Sequence, residues 1–422
     1  MPASPTPAIY HNRAATSERQ GSRRGPLRVC AASFSIRGVF RFEVTAAAGS
    51  ARRGVLTTPH GAVQTPAFMP VGTAGSVKGV TPEQLRGTGT QIILANTYHL
   101  QLRPTAQVVR ELGGLHRFMG WEGPILTDSG GYQVFSLGSI NCINDDGVDF
   151  RSHIDGSPMR LDPRIATRVQ NDLGADIIMV FDQCPALPCD AEVLETAVDR
   201  TIRWARVCKD VHAREDQALF GIVQGGLDRT LRQRCAAALI EIGFDGYAIG
   251  GLSVGESHEE MTAILPHITE RLPPDRPRYL MGVGMPRDIL AAVNAGVDLF
   301  DCVLPTRNGR NSYAFTASCP LRMRNEVHRL ADAPLEPGCG CETCRRFSRG
   351  YLRHLFNAGE MLGPTLTSIH NLHFYQRFMA RIRDLICEGR LATIADEYPI
   401  LSLPSPAGAV GSDLQEETSW TC

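Results

Sequence analysis

No apolar run in this 422-residue chain is long enough to cross a membrane, and no secretory hydrophobic segment opens it. Net charge is almost missing: 43 Lys plus Arg against 44 Asp plus Glu leave −1 at pH 7. Overall charge therefore gives no sign of a polyanionic partner. An even cysteine count is missing too. The 13 cysteines are scattered apart from one cluster, which suits free thiols and one metal site in a reducing compartment better than a disulfide framework. These absences argue against a helical membrane protein and a disulfide-stapled secreted domain, and lead us to expect a cytoplasmic protein.

What is present fits an ordinary globular chain. A hydrophobic content of 43% allows a sizeable core, and the length suits either one large barrel with an appendage or two to three domains. Charge is unevenly placed. Residues 302–390 hold 13 Arg, no Lys and 7 acids, which suits a phosphate-binding surface or a solvated charged face. Residues 1–38 hold six Arg and a single acid, Glu18, without sustained apolar periodicity. That stretch is expected to be a disordered basic extension; a transit peptide, a misassigned start and a plain tail all remain open.

From about residue 40 the pattern changes. Phe40-Arg41-Phe42-Glu43-Val44 alternates like a strand, and Gly54-Val55-Leu56-Thr57-Thr58 before Pro59-His60-Gly61 reads as a hairpin. Eight short apolar runs follow: Ala67-Phe68-Met69-Pro70-Val71, Ile92-Ile93-Leu94-Ala95, Ile125-Leu126-Thr127, Ile177-Ile178-Met179-Val180-Phe181, Phe220-Gly221-Ile222-Val223, Tyr247-Ala248-Ile249, Tyr279-Leu280-Met281 and Leu299-Phe300. Helical patterns separate them, the clearest placing Val193, Ala197, Thr201, Trp204, Cys208 and Val211 on one stripe. Eight strands alternating with helices predict an α/β fold, a (β/α)8 TIM-type barrel with an N-terminal antiparallel hairpin. Alternation in Gly147-Val148-Asp149-Phe150-Arg151-Ser152-His153-Ile154-Asp155-Gly156 predicts a small antiparallel insertion, with His153 structural.

Polar and glycine residues follow these runs: Asn96, Asp128-Ser129-Gly130-Gly131-Tyr132, Asp182-Gln183-Cys184, Gln224-Gly225-Gly226, Gly250-Gly251-Leu252, Gly282-Val283-Gly284 and Asp301. The C-terminal ends of barrel strands form the catalytic face, so they point to a site. In Asp298-Leu299-Phe300-Asp301-Cys302-Val303-Leu304-Pro305-Thr306-Arg307-Asn308-Gly309-Arg310 a strand ends in a carboxylate and two arginines follow. That grouping suits attack on a carbon attached to a phosphate-bearing backbone, or a plain turn-capping aspartate. Cys339-Gly340-Cys341-Glu342-Thr343-Cys344 with His370 supplies three thiolates and an imidazole, a closed tetrahedral shell for one structural Zn2+. His373, three residues on, competes for the fourth place. From His370 the residues Leu372, Tyr375, Gln376, Met379, Ile382 and Ile386 read as a helix. The barrel should occupy 39–398 with the zinc subdomain at about 315–375, and the Pro- and Gly-bearing tail 399–422 should be disordered.

Taken together, Ala95-Asn96-Thr97-Tyr98-His99-Leu100, Thr127-Asp128-Ser129-Gly130-Gly131-Tyr132-Gln133-Val134, Phe220-Gly221-Ile222-Val223-Gln224-Gly225, Gly250-Gly251-Leu252-Ser253-Val254-Gly255-Glu256, Tyr279-Leu280-Met281-Gly282-Val283-Gly284, Phe300-Asp301-Cys302-Val303-Leu304-Pro305-Thr306-Arg307 and the cysteine cluster resemble the bacterial-type tRNA-guanine transglycosylases, the queuine tRNA-ribosyltransferase family. The resemblance spans roughly residues 40–398. It implies a glycosyltransferase of the pentosyl class that exchanges the wobble guanine of GUN-anticodon tRNAs in queuosine biosynthesis. Asp301 would be the nucleophile on ribose C1′ and Asp128 the general acid/base, with the reverse assignment as second choice. Asp182 would take the guanine N1–H and amine, Gln224 and the Gly251 N–H would bind O6, and the Leu252 carbonyl would accept from an aminomethyl group. Tyr132 and Met281 would sandwich the ring, with Ser129 and Cys184 beside it. Val254 and Cys184 match members that use 7-aminomethyl-7-deazaguanine. Arg307 and Arg310 would hold the anticodon loop, and a homodimer is implied.

Two places within the matched stretch, four residues in all, depart from the family pattern. Gln183 replaces a usual Glu, and Pro185-Ala186-Leu187 replaces Thr-Pro-Tyr, which puts the fine tuning of base binding in question. Two rivals bear on the reading. A non-catalytic tRNA-binding subunit would be expected to lose Asp301, and a barrel glycosidase would not need the arginine-rich segment.

Overall fold

The computed structural model describes residues 40–136 and 142–403. The expected extension at 1–38 and most of the expected tail lie outside the described residues. Order runs further than the tail reading allowed. Pro399–Ser402 forms a short 3-10 helix with Ile400 buried, and the Ile400 N–H donates to Ala317 O at 2.9 Å.

Strands β1 (Arg41–Ala48), β2 (Ala51–Thr58) and β3 (Gly61–Thr65) form an antiparallel sheet. The barrel strands are β4 (Ala67–Pro70), β5 (Ile93–Ala95), β6 (Ile125–Thr127), β10 (Ile177–Met179), β11 (Ala218–Val223), β12 (Gly246–Ile249), β13 (Arg278–Leu280) and β14 (Leu299–Cys302). Between β6 and β10 lies the expected antiparallel insertion, β7 (Cys142–Asn144), β8 (Gly147–Arg151) and β9 (Pro158–Leu161). Each apolar run became a barrel strand because strands covered on both faces have no reason to alternate. They pair in parallel in the order β4-β14-β13-β12-β11-β10-β6-β5. A bridge between Val71 and Leu94 closes the barrel, with Gly72 N–H on Leu94 O at 2.6 Å.

The N-terminal sheet is tied to the barrel's lower end. Asp176, just before β10, is buried and accepts from His60 Nδ1 at 2.7 Å, His116 Nε2 at 3.0 Å and Ile125 N–H at 2.8 Å. Burial pushes its carboxyl up, but the bonds from His116, His60 and Ile125 prevail and hold it below the usual range. With its oxygens taken by protein donors, this cluster serves as a latch. A second latch joins Arg52 on β2 to Asp298 before β14.

The helix Ala191–Val211 buries Ala197, Thr201, Trp204 and Cys208, as expected. Its first turn differs: Val193 is exposed and Leu194 is buried. Both positions lie one turn from Ala197, and the larger side chain takes the core side. His153 stacks on Tyr98, with Tyr98 Oη 3.0 Å from His153 Nδ1. A small separate core of Ala314, Met323, Leu335, Leu352, Leu355, Phe356 and Leu366 supports the cysteine cluster. The helix read from His370 begins earlier, at Leu362, and runs to Glu388. Pro364 lies in its first turn, where no N–H would be bonded in any case. No helix among the described residues is long and apolar enough to cross a membrane. Ten described cysteines form no disulfide, Cys339, Cys341 and Cys344 among them, whereas Cys319 is disulfide-bonded.

Candidate active site

A cavity of about 680 Å³ opens at the C-terminal ends of the barrel strands. Asp128 follows β6, Asp182 stands three residues beyond β10 and Asp301 lies within β14, and all three line this one cavity. Parallel strands of matched register bring residues more than 170 positions apart to the same rim.

The three carboxylates are held differently. Asp128 accepts from Asn96 Nδ2, from Thr97 N–H at 2.8 Å and from Gln133 Nε2 at 2.9 Å. Burial pushes its pKa up to about 6 against those donors, and the charge of Asp301 adds to the push. Asp182 accepts from Gln224 Nε2 at 2.7 Å and Ser129 Oγ at 3.3 Å, and burial pushes it up to about 6 as well. Asp301 takes the Tyr279 hydroxyl at 2.6 Å and the Gly282 N–H at 2.8 Å, both on Oδ1. Burial raises its pKa while these two bonds oppose the rise. Among the described residues, Oδ2 takes no hydrogen bond.

Gln224, Gly251, Leu252, Ser129 and Cys184 also line the cavity. Gly251 has φ +63°, and a Cβ there would lie 2.3 Å from Gln224 Oε1, so only glycine fits. Gln224 Oε1 itself is buried and has no hydrogen-bond partner among the described residues. Burial and the charge of Asp182 push the Cys184 thiol up to about 12, which keeps it protonated. Tyr132, 47% exposed, and the partly buried Met281 contribute to the lining as well. Arg307 lines the cavity; Arg310, one turn on, does not, and its buried Nη1 lacks a hydrogen-bond partner among the described residues.

Sequence reading assigned no role to four residues that shape this site. Tyr279 stands on β13 two residues before Met281, which directly follows that strand, and the alternation could have placed it inside the barrel. Asn96 and Gln133 fix Asp128. Arg232 is fully buried and donates to the carbonyls of Val223, Gly226, Gly250 and Gly251, joining the two glycine turns beside the cavity. No local pattern marks it. Gln183 faces away from the cavity: its Oε1 accepts from Arg200 Nη1 at 2.6 Å, and Arg200 also bonds Asp145.

Cys339, Cys341, Cys344 and His370 form one cluster whose possible ligand atoms lie within 4.8 Å of one another. His370 Nδ1 faces the three sulfurs at 3.8, 3.6 and 3.3 Å, and His370 Nε2 lies 2.7 Å from Phe315 O. That outer bond leaves Nδ1 free as a ligand. The donor set therefore fits a thiophilic metal ion. His373 is not part of the cluster and contacts Thr88 O instead.

The family model described as "Queuine tRNA-ribosyltransferase" matches residues 47–399. The chain belongs to that family. Its relatives include proteins named queuine tRNA-ribosyltransferase from Azotobacter vinelandii, 53% identical over 86% of this chain and 99% of that protein, and from Pseudomonas syringae, 51% identical over the same shares. One from Nitrosomonas eutropha is 53% identical over 82% of this chain and 96% of that protein. Membership of the queuine tRNA-ribosyltransferase family agrees with the enzyme class expected from the sequence, a pentosyl-transferring tRNA-guanine transglycosylase.

Proposed function

We propose that this chain exchanges the wobble guanine of GUN-anticodon tRNAs for 7-aminomethyl-7-deazaguanine through a covalent Asp301–ribose ester, in queuosine biosynthesis. The reading rests on the convergence of Asp128, Asp182 and Asp301, with Asp301 anchored, among the described residues, through one oxygen only. Asp301 Oδ2 attacks C1′ of the flipped-out nucleotide as the C1′–N9 bond breaks. Guanine leaves with the bonding electrons on N9 and takes a proton from Asp128. The incoming base gives its N9 proton back to Asp128, attacks C1′ and expels the Asp301 carboxylate. Two displacements retain configuration, and the ester keeps the bond energy, so no nucleotide triphosphate is needed.

The electrostatics support these roles. A group near 6 can give and take a proton at neutral pH, which suits Asp128. Burial raises the Asp301 carboxyl, and the bonds from Tyr279 and Gly282 work against that rise, toward the ionised form that a nucleophile requires. Ionised Asp182 can accept two parallel N–H bonds from a guanine edge. Gln224, which now donates to Asp182, has a second amide proton for O6. Val254 and Cys184 in the lining favour the small aminomethyl base over a bulkier one. Arg307 and Arg310 would pair with anticodon-loop phosphates. Zn2+ is the expected ion for the Cys3His cluster, and it would hold the C-terminal subdomain in shape. A homodimer and a cytoplasmic setting complete the reading.

The test is exchange of labelled guanine into tRNA by purified protein. Uptake at position 34 is expected, and folded protein that incorporates no label would remove the reading.

A further inference from the structure

We propose that Asn371 and Tyr375, one turn apart on helix Leu362–Glu388, are positioning residues that grip the two segments flanking Asp301. The functional meaning of this clamp rests on the reaction proposed above. Residues four apart share a helix face, and on this face the polar ends of Asn371 and Tyr375 reach backbone carbonyls while the Tyr375 ring packs on Phe68 and Phe315. Asn371 Nδ2 donates to Pro305 O at 2.9 Å and to Tyr313 O at 2.8 Å, while its Oδ1 accepts from Phe315 N–H at 2.8 Å. Pro305 lies in the helix Leu304–Arg310 after Asp301, which carries Arg307 and Arg310. Tyr375 Oη donates to Gly284 O at 2.6 Å. Gly284 ends the segment whose Gly282 N–H holds Asp301 Oδ1.

Both side chains are fully buried, and both amide protons of Asn371 are used. Packing around the clamp leaves no slack. A Cβ on Gly309 would lie 2.5 Å from Ser368 Oγ, and one on Gly284 would lie 2.3 Å from Cys302 Cβ. The face is also fixed in rotation. Phe315 receives His370 Nε2 on its carbonyl and gives its N–H to Asn371, so the helix that carries His370 is held in register with the segment that follows helix Leu304–Arg310. Leu372, Phe374 and Phe378 on the same helix bury against the core and make no such bonds.

The experiment compares Tyr375→Phe, Asn371→Leu and, as a packing control, Phe378→Leu, each with metal content measured. Tyr375→Phe keeps the ring and loses one hydrogen bond. It should lower kcat about tenfold, as a small misplacement of a reacting group does, with KM for guanine unchanged. Asn371→Leu should raise KM for tRNA by about the same factor. Phe378→Leu should lower Tm and leave both constants alone. Amide hydrogen exchange at 282–284 and 304–310 supplies a readout independent of turnover. It should quicken in the first two variants and not in the third. Parent kinetics and parent exchange in folded, metal-loaded Tyr375→Phe would overturn the clamp, even if Asn371→Leu failed to fold. A parent protein without guanine exchange would instead overturn the proposed reaction, and the hydrogen-exchange comparison would still decide the clamp.

Discussion

The Tyr279 hydroxyl reaches across from β13 and donates to Asp301 Oδ1 at 2.6 Å, on the same oxygen that takes the Gly282 N–H. One oxygen is thus an anchor, and the other takes no hydrogen bond among the described residues. The Tyr279 bond also holds down a pKa that burial raises.

Tyr279→Phe removes that restraint. The Asp301 pKa should rise further, and the acid limb of the single-turnover rate should move to higher pH. A hydrogen bond to a charged group is worth about 1.5–3 kcal/mol, so the rate at pH 7 should fall by roughly tenfold or more. A rate profile against pH measures both effects.

Asp182 gives a prediction about base affinity. Its pKa is raised to about 6, and only the anion accepts both guanine N–H groups. Guanine affinity should fall as pH drops through about 6, and Asp182→Asn should lose most of it at every pH. Titration calorimetry with guanine reads this directly.

The same shift carries a stability cost with a defined sign. A carboxyl raised from 3.8 to about 6 ionises later in the folded chain than in the unfolded one. Stability is therefore lost as pH rises between those values and stays lost above them, by on the order of 3 kcal/mol. Asp182→Asn should raise Tm at pH 7.5, and the gain should vanish below about pH 4.

Gly251→Ala meets two obstacles, φ +63° and Gln224 Oε1 at 2.3 Å from the new Cβ. Gln224 would be pushed from its bond to Asp182, and KM for guanine should rise more than KM for tRNA. Steady-state kinetics in each substrate would show the split.

Cys341→Ser should damage folding rather than chemistry. Loss of one thiolate from a closed metal shell should destabilise by on the order of 3 kcal/mol or more. Metal analysis with thermal melts tests it, and a metal-free variant with parent Tm and activity would contradict the structural role.

The barrel was legible because its strands are short apolar runs that end in polar or glycine residues, a pattern set by burial on both faces and by the catalytic rim. The carboxylates were legible for the same reason, as strand-end residues. Arg232 was not, because its partners are backbone carbonyls of two distant turns and carry no side-chain signature. Tyr279 was half legible, through its alternation with Met281. The run read from His370 missed the start of the long helix, because Gly363 and Pro364 are poor helix formers that only a first turn tolerates. Gln183 read as a lost charge beside the base. The fold turns it toward Arg200, a contact that sequence spacing could not show.

The central claim is that Asp301 becomes covalently joined to the tRNA. The direct measurement is a denaturing gel of protein mixed with tRNA and quenched during turnover. The parent protein should give a band of protein joined to RNA, and Asp301→Asn should give none while still binding tRNA. A band of parental intensity from Asp301→Asn would contradict the account.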